Sequence, residues 1–241
     1  MPTFNRSGAL HMTTWREFWD QPHSIYVNDR HKDVHYREIA EQIAAFVPRP
    51  DAQVLDYGSG DAIHSDIVAA RAGKVYLSDA AASVRASLAT RFAANPKIEV
   101  LAPDDVERLP GGSLDLIVAN SLAQYLSAAE LDGLLALWRR LLAPGGTLII
   151  ADVIPPHVGA ASDGVALLRY AAANGFLIAA LIGLTRTALS PYRKLRSALG
   201  IARYEETEFM GKLRAAGFSA ERMARNMEHN PARMTFLARV A

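Results

Sequence analysis

The sequence predicts a doubly wound α/β fold on a mostly parallel seven-stranded sheet. Three observations predict it. Short apolar runs alternate with helical patterns from residue 53 onward, as in repeated βα units. The first run stops at Gly58-Ser59-Gly60, the sharp turn that a buried parallel strand needs before its helix. The last two runs have no helix between them, which makes them an antiparallel hairpin.

Ala52–Tyr57 is the first strand, and Asp61–Arg71 reads as a helix with Ile63, Ile67 and Val68 on one face. Lys74–Ser78, Ile98–Leu101, Leu114–Asn120 and Thr147–Val153 are the next four strands, with Ala81–Ala93 as the helix between the second and third. The near-continuous apolar character of Leu114–Asn120 argues for a central position. Ser127 and Glu130 have the spacing of a capping box, opening a helix with Leu131, Leu134, Leu135, Trp138 and Leu142 on one side. Pro144-Gly145-Gly146 ends it. Glu206–Ala216, closed by Gly217, is the last helix, before strands Ser219–Arg225 and Met234–Val240.

The chain of 241 residues divides into an N-terminal helical cap (1–50), a core (51–159), a helical lid insertion (160–204) and a C-terminal helix and hairpin that complete the core (205–241). Asp33–Val47 is the cap's main helix, and Pro48 and Pro50 mark the join. A net charge of +1 hides an asymmetry. Residues 1–159 hold 14 basic and 19 acidic groups, whereas 160–204 hold six basic residues against Asp163 alone. An acidic core gives no footprint for nucleic-acid phosphates. With no cysteine, thiolate nucleophiles and sulfur-ligated zinc are excluded, while sites of histidine and carboxylate stay open. The N-terminus lacks the apolar run of a signal peptide, and the longest apolar-rich stretch, Tyr170–Thr185, is shorter than the roughly 20 residues of a spanning helix. The expectation is a cytoplasmic protein.

Ligands of open parallel sheets bind beyond the carboxyl ends of the strands. Gly58 and Gly60 let a ligand lie against the first turn, but Ile63 stands where a nicotinamide fingerprint has its third glycine. Asp79, at the second tip, can accept both hydroxyls of a ribose. Asp104 and Asp105, past the third, offer a carboxylate to the exocyclic amine of an adenine, and the Asn120 amide can face a polar tail. No Lys or Arg follows Gly60 until Arg71, and there is no P-loop, so the site suits a nucleoside without phosphates.

VLDYGSGDA (54–62), VYLSD (75–79), DDVERLPGGSLDLIVAN (104–120) and LLAPGGTLII (141–150) resemble, in order, the motifs of class I S-adenosylmethionine-dependent methyltransferases. Ala62 departs from the pattern, since many members carry a third glycine there. The resemblance covers roughly residues 35–155 and the terminal hairpin. It implies a Rossmann-like sheet and S-adenosylmethionine as cofactor. The Gly58–Gly60 loop would face its methionine part, Asp79 the ribose, Asp105 and Val106 the adenine, and Asn120 the sulfonium. The implied cofactor set is Tyr36, Asp56, Gly58, Ser59, Gly60, Asp79, Asp105, Val106 and Asn120, with no metal ligand.

Methyl transfer from a sulfonium needs chiefly proximity and alignment, with a base only where the acceptor is protonated. The candidate bases are His157, ranked first because it lies just past the fifth strand, His35, His64 and His229, with Tyr125, Tyr26 and Tyr36 as positioning groups; His157, Tyr125 and His35 are the expected catalytic set. Asn120-Ser121-Leu122-Ala123 lacks the Pro-Pro-aromatic signature of base-amino methylation. The apolar run Gly175–Leu184 followed by Ser190–Arg196 (SPYRKLR) suggests an acceptor with substantial apolar area. The reading is direct methyl transfer to a small, fairly apolar acceptor. The alternatives are a lipid- or quinone-type enzyme with peripheral membrane contact through 170–200, and a non-catalytic binder of S-adenosylmethionine or its product.

Overall fold

The computed structural model describes residues 14–20, 26–188 and 200–240. Seven strands form one sheet: β1 (Gln53–Tyr57), β2 (Lys74–Ser78), β3 (Ile98–Leu101), β4 (Leu114–Asn120), β5 (Leu142–Val153), β6 (Phe218–Arg222) and β7 (Met234–Val240). Their order is β3-β2-β1-β4-β5-β7-β6, with β1 to β5 parallel and β7 antiparallel to both β5 and β6. The terminal hairpin is therefore as the sequence reads it. The chain leaves β1 toward β2 on one side and returns to β4 on the other, so a crevice opens between the β1 and β4 tips.

Strand β4 shows why both faces are covered. Leu114, Ile117 and Ala119 enter one core with Leu131, Leu135 and Trp138 of α6 (Ala128–Leu141) and Phe209 and Leu213 of α9 (Glu206–Ala215). Leu116 and Val118 enter the other core with Ile39 and Ile43 of α2 (Asp29–Phe46), Val68 of α3 (Ser65–Ala69) and Leu88 of α4 (Ala82–Arg91). The strand's one carboxylate, Asp115, is buried at the far end of the sheet but satisfied. It accepts from Arg49 Nη1 (2.7 Å) and Nη2 (3.1 Å) and from the Gln53 N–H (2.8 Å).

Helix α6 opens on the expected capping box: Ser127 Oγ accepts the Glu130 N–H, and Glu130 Oε2 accepts the Ser127 N–H. Two readings change. The helix expected over 61–71 is only α3, because Ala62 sits at φ +37 and the chain turns away from helical geometry around the crevice. Gly175 is the left-handed cap that ends α7 (Ala160–Asn174), so the apolar run continues as a separate helix, α8 (Leu177–Ala188). Helices α7 and α8 share a small core of Ala171, Phe176 and Ala180 with Val27 and Leu167. The basic run Ser190–Arg196 lies outside the described residues.

Candidate active site

One cavity of about 2100 Å³ runs along the strand tips. Its first end is built by the β1 turn. Gly58 and Gly60 adopt φ +76 and +57, and a Cβ on Gly60 would stand 2.8 Å from the Tyr36 hydroxyl. The loop is tied down from both sides. The Gly58 N–H donates to Ser78 O (2.7 Å), the Gly60 N–H to Asp79 Oδ2 (3.0 Å) and the Asp61 N–H to Tyr36 Oη (2.9 Å). Asp79 Oδ1 accepts the Ala81 N–H (2.8 Å), so each oxygen has one backbone partner and keeps a lone pair for a ligand. Beside it, burial and then the charge of Asp79 push the Asp56 carboxyl up to about 7.

The middle of the cavity has aromatic walls. Tyr125, on the turn after β4, lies 4.7 Å from the Trp15 ring and 5.5 Å from Trp19, both on α1 (Trp15–Trp19). Two non-glycine residues there have left-handed backbone, Ser121 at φ +54 and Asp152 at φ +64, at the ends of β4 and β5. Such strain persists only where the surroundings fix it. Here the Ser121 hydroxyl donates to Asp152 Oδ2 (2.8 Å) and the Arg233 guanidinium to the same oxygen (2.6 Å).

The far end is polar and comes from the β6–β7 connection. Asn120 donates through Nδ2 to Glu228 Oε1 (2.8 Å), while its Oδ1 is buried without a hydrogen-bond partner. Glu228 Oε2 lies 3.3 Å from His35 Nδ1 and 3.6 Å from His229 Nδ1. Burial alone would push the Glu228 carboxyl up. The positive charge on His35 and the donors around it outweigh that and hold it well below the usual carboxylate range. His35 is raised in turn, the pull of Glu228 exceeding the effect of burial. His31, one turn earlier on α2, is lowered to about 4 by burial and by its two histidine neighbours, and so is neutral at pH 7. Arg233 also clasps Asp163 of α7 through Nη2 (2.8 Å) and Nε (3.2 Å), joining the helical pair to the hairpin.

Residues 54–146 match the family model described as a methyltransferase domain. That segment is similar to methyltransferase domains over 93 of the 241 residues. The fold extends well beyond the matched segment. A Haloferax volcanii complex of the Trm112 methyltransferase activator with a methyltransferase aligns over 95% of this chain and 99% of that one, with a TM-score of 0.60 and 14% identity. YcgJ from Bacillus subtilis aligns over 78% and 71%, with a TM-score of 0.56 and 14% identity. A geranyl diphosphate methyltransferase solved with GPP and sinefungin aligns over 84% and 76%, at 0.56 and 12%. These likenesses show the fold. No curated protein matches the chain in sequence.

Within the cavity, Tyr36, Asp56, Gly58, Ser59, Gly60, Asp79 and Asn120 all line the wall, as do His35 and Tyr125. Three expected site residues do not. His157 is exposed and outside the cavity wall, just past Pro155 and Pro156. Asp105 is exposed and turned back. Its Oδ2 accepts the Ala102 N–H (3.3 Å) and its Oδ1 a hydrogen bond from Arg108 (2.6 Å), which leaves Asp104 as the carboxylate on the wall. Val106 is a core residue beneath. What the sequence reading missed is the hairpin set Asn226, Glu228, Asn230 and Arg233, of which only the neighbouring His229 stood among the candidates. The run NMEHNPAR is polar and looks like a solvated turn. The signal available was five hydrogen-bonding side chains within eight residues.

Proposed function

We propose that the chain transfers a methyl group directly from S-adenosylmethionine to a small acceptor bound between Asn120 and the β6–β7 connection. The observation that carries this is the continuity of the cavity. Its volume is about twice that of a pocket for a single drug-sized ligand, at most roughly 1,000 Å³. The strand-tip end fits a nucleoside: a glycine cradle that any Cβ would fill, a carboxylate with two free lone pairs, and the buried Oδ1 of Asn120 without a partner. Gly58–Gly60, Asp79, Asp104 and Asn120 would hold the cofactor there. When bound, it supplies an electrophilic methyl carried on a sulfonium. The protein's part is to align the acceptor's lone pair and exclude water.

The acceptor end has two characters. Val27, Leu167 and Leu184 give it an apolar wall, and His35, Glu228 and His229 a polar one. The acceptor is accordingly a molecule with apolar area and one polar group, and α7–α8 act as the lid over it. Incubation with methyl-labelled cofactor and a panel of phenols, amines, acids and lipids should label one such class. Label in none of them would count against the reading.

A second reading, an acceptor taken from a membrane surface, has one observation in its favour. Val165, Leu177, Ile178, Leu181 and Ile182 are exposed on α7–α8, Ile178 at 76%, forming an apolar ridge beside the cavity. No described helix is long and apolar enough to cross a membrane. Flotation with anionic liposomes tests this: the ridge should bring the protein up with the vesicles, and absence of association at low salt would sink the idea.

Asp56 makes cofactor binding pH-dependent. A carboxyl raised to about 7 gives the fold stability at low pH that is lost as pH rises from the unfolded value near 4 through 7. A cationic ligand beside the Asp56–Asp79 pair favours the ionised form, so binding releases protons and tightens as pH rises from 6 to 8. Calorimetry at pH 7 in buffers of different ionisation heat should show this release. Asp56→Asn should abolish it.

A further inference from the structure

We propose that His35, Glu228 and His229 form a binding site for a divalent first-row transition-metal ion, open toward the acceptor end of the cavity. One ligand atom from each lies within 4.8 Å of the other two, a set of two imidazoles and one carboxylate. An ion holding nitrogen and oxygen at about 2.1 Å separates neighbouring ligands by about 3.0–3.4 Å, from octahedral to tetrahedral geometry. The two edges through Glu228 Oε2, 3.3 and 3.6 Å, lie at or within a few tenths of that range.

A simple ion pair accounts for this cluster less well. His229 Nδ1 is buried without a hydrogen-bond partner, and 3.6 Å to Glu228 is too long to be one. The carboxylate is oriented from behind, since Asn120 Nδ2 holds Oε1 and directs Oε2 at both rings, as an outer-shell group does in metal sites. Both rings are held by packing. His229 stacks on Tyr170 (centroids 5.1 Å, 22°), and His35 sits between Tyr26 at 5.3 Å and Tyr36 at 5.0 Å. His31 does not join them, because its Nδ1 already accepts the Val27 N–H.

All three ligand residues line the cavity, so the remaining coordination positions face the acceptor. Two histidines and a carboxylate with open positions suit iron, cobalt, nickel or zinc rather than magnesium or calcium. Such an ion would take an oxygen of the acceptor's polar group. That role rests on the methyl-transfer reading above; the binding of the ion does not.

The test is titration of the untagged, chelator-treated full chain with cobalt(II), followed by visible spectroscopy and calorimetry. One equivalent should bind, with ligand-field bands of an imidazole–carboxylate site. His35→Ala and His229→Ala should each weaken it at least about tenfold. If loss of the Tyr170 stack unfolds His229→Ala, His229→Phe keeps the stack and removes the nitrogen. No stoichiometric binding of cobalt or zinc, or binding undiminished in a folded His229 variant, would overturn the proposal and leave an ion pair. A chain that binds cobalt but not S-adenosylmethionine would keep the metal site and sink the methyltransferase reading. The reverse result would do the opposite.

Discussion

Asp79→Ala is expected to weaken S-adenosylmethionine binding on the order of 100-fold, from two lost hydrogen bonds to a charged acceptor at about 1.5 kcal/mol each. The side chain has two functions, and the expectation separates them. It holds the Gly60 and Ala81 N–H groups, fixing the β1 and β2 turns against each other, and it presents its remaining lone pairs to the cavity. Asp79→Asn keeps the shape and one acceptor oxygen, so its loss should be smaller, nearer tenfold. Calorimetric titration of both variants checks this, with circular dichroism to establish that each is folded. Equal affinity in wild type and Asp79→Ala would mean that the ribose is held elsewhere.

Removal of the Arg233 guanidinium should have the largest effect on stability. Arg233→Met is expected to cost about 3–5 kcal/mol, because it strips the partner from a buried carboxylate. Asp152 is 5% exposed and already holds a left-handed backbone. Asp163 would lose its ion pair with Arg233 too, and with it the clasp between α7 and the hairpin. For a domain of this size the melting temperature should fall by roughly 10 °C. Arg233→Lys should fall between, since an ammonium keeps the charge but cannot reach both carboxylates as a fork. Asp152→Asn placed on Arg233→Met should recover part of the loss. Thermal melts of the four proteins decide it, and a fall below about 1 kcal/mol would show that the ion pairs are surface-like.

The two halves of the site differed in how far they could be read beforehand, for a physical reason. The cofactor end is made where strands end, and strands announce themselves: VLDYGSG and VYLSD place Gly58, Gly60 and Asp79 at tips because a buried parallel strand must stop in a turn. Asp105 and Asp104 show the limit of that logic. Which of two adjacent carboxylates faces the cavity depends on the turn begun by Pro103, and the ion pair with Arg108 draws Asp105 away. The acceptor end is assembled across the chain. Asn120 meets Glu228 and His35 meets the same residue, contacts that no local periodicity encodes. His157 shows the complementary limit: nearness in sequence to a strand end does not by itself put a side chain on the cavity wall, and this one follows two prolines and is exposed.

If the strand tips bind S-adenosylmethionine and present its methyl to the hairpin cluster, cofactor and product must compete for one site. Calorimetric titration of the wild-type chain with S-adenosylmethionine, repeated with S-adenosylhomocysteine, tests it most directly. The expected result is one site per chain for each ligand, mutually exclusive, with proton release near pH 7 from Asp56 when the cationic S-adenosylmethionine binds. Absence of measurable binding for both ligands would contradict the account.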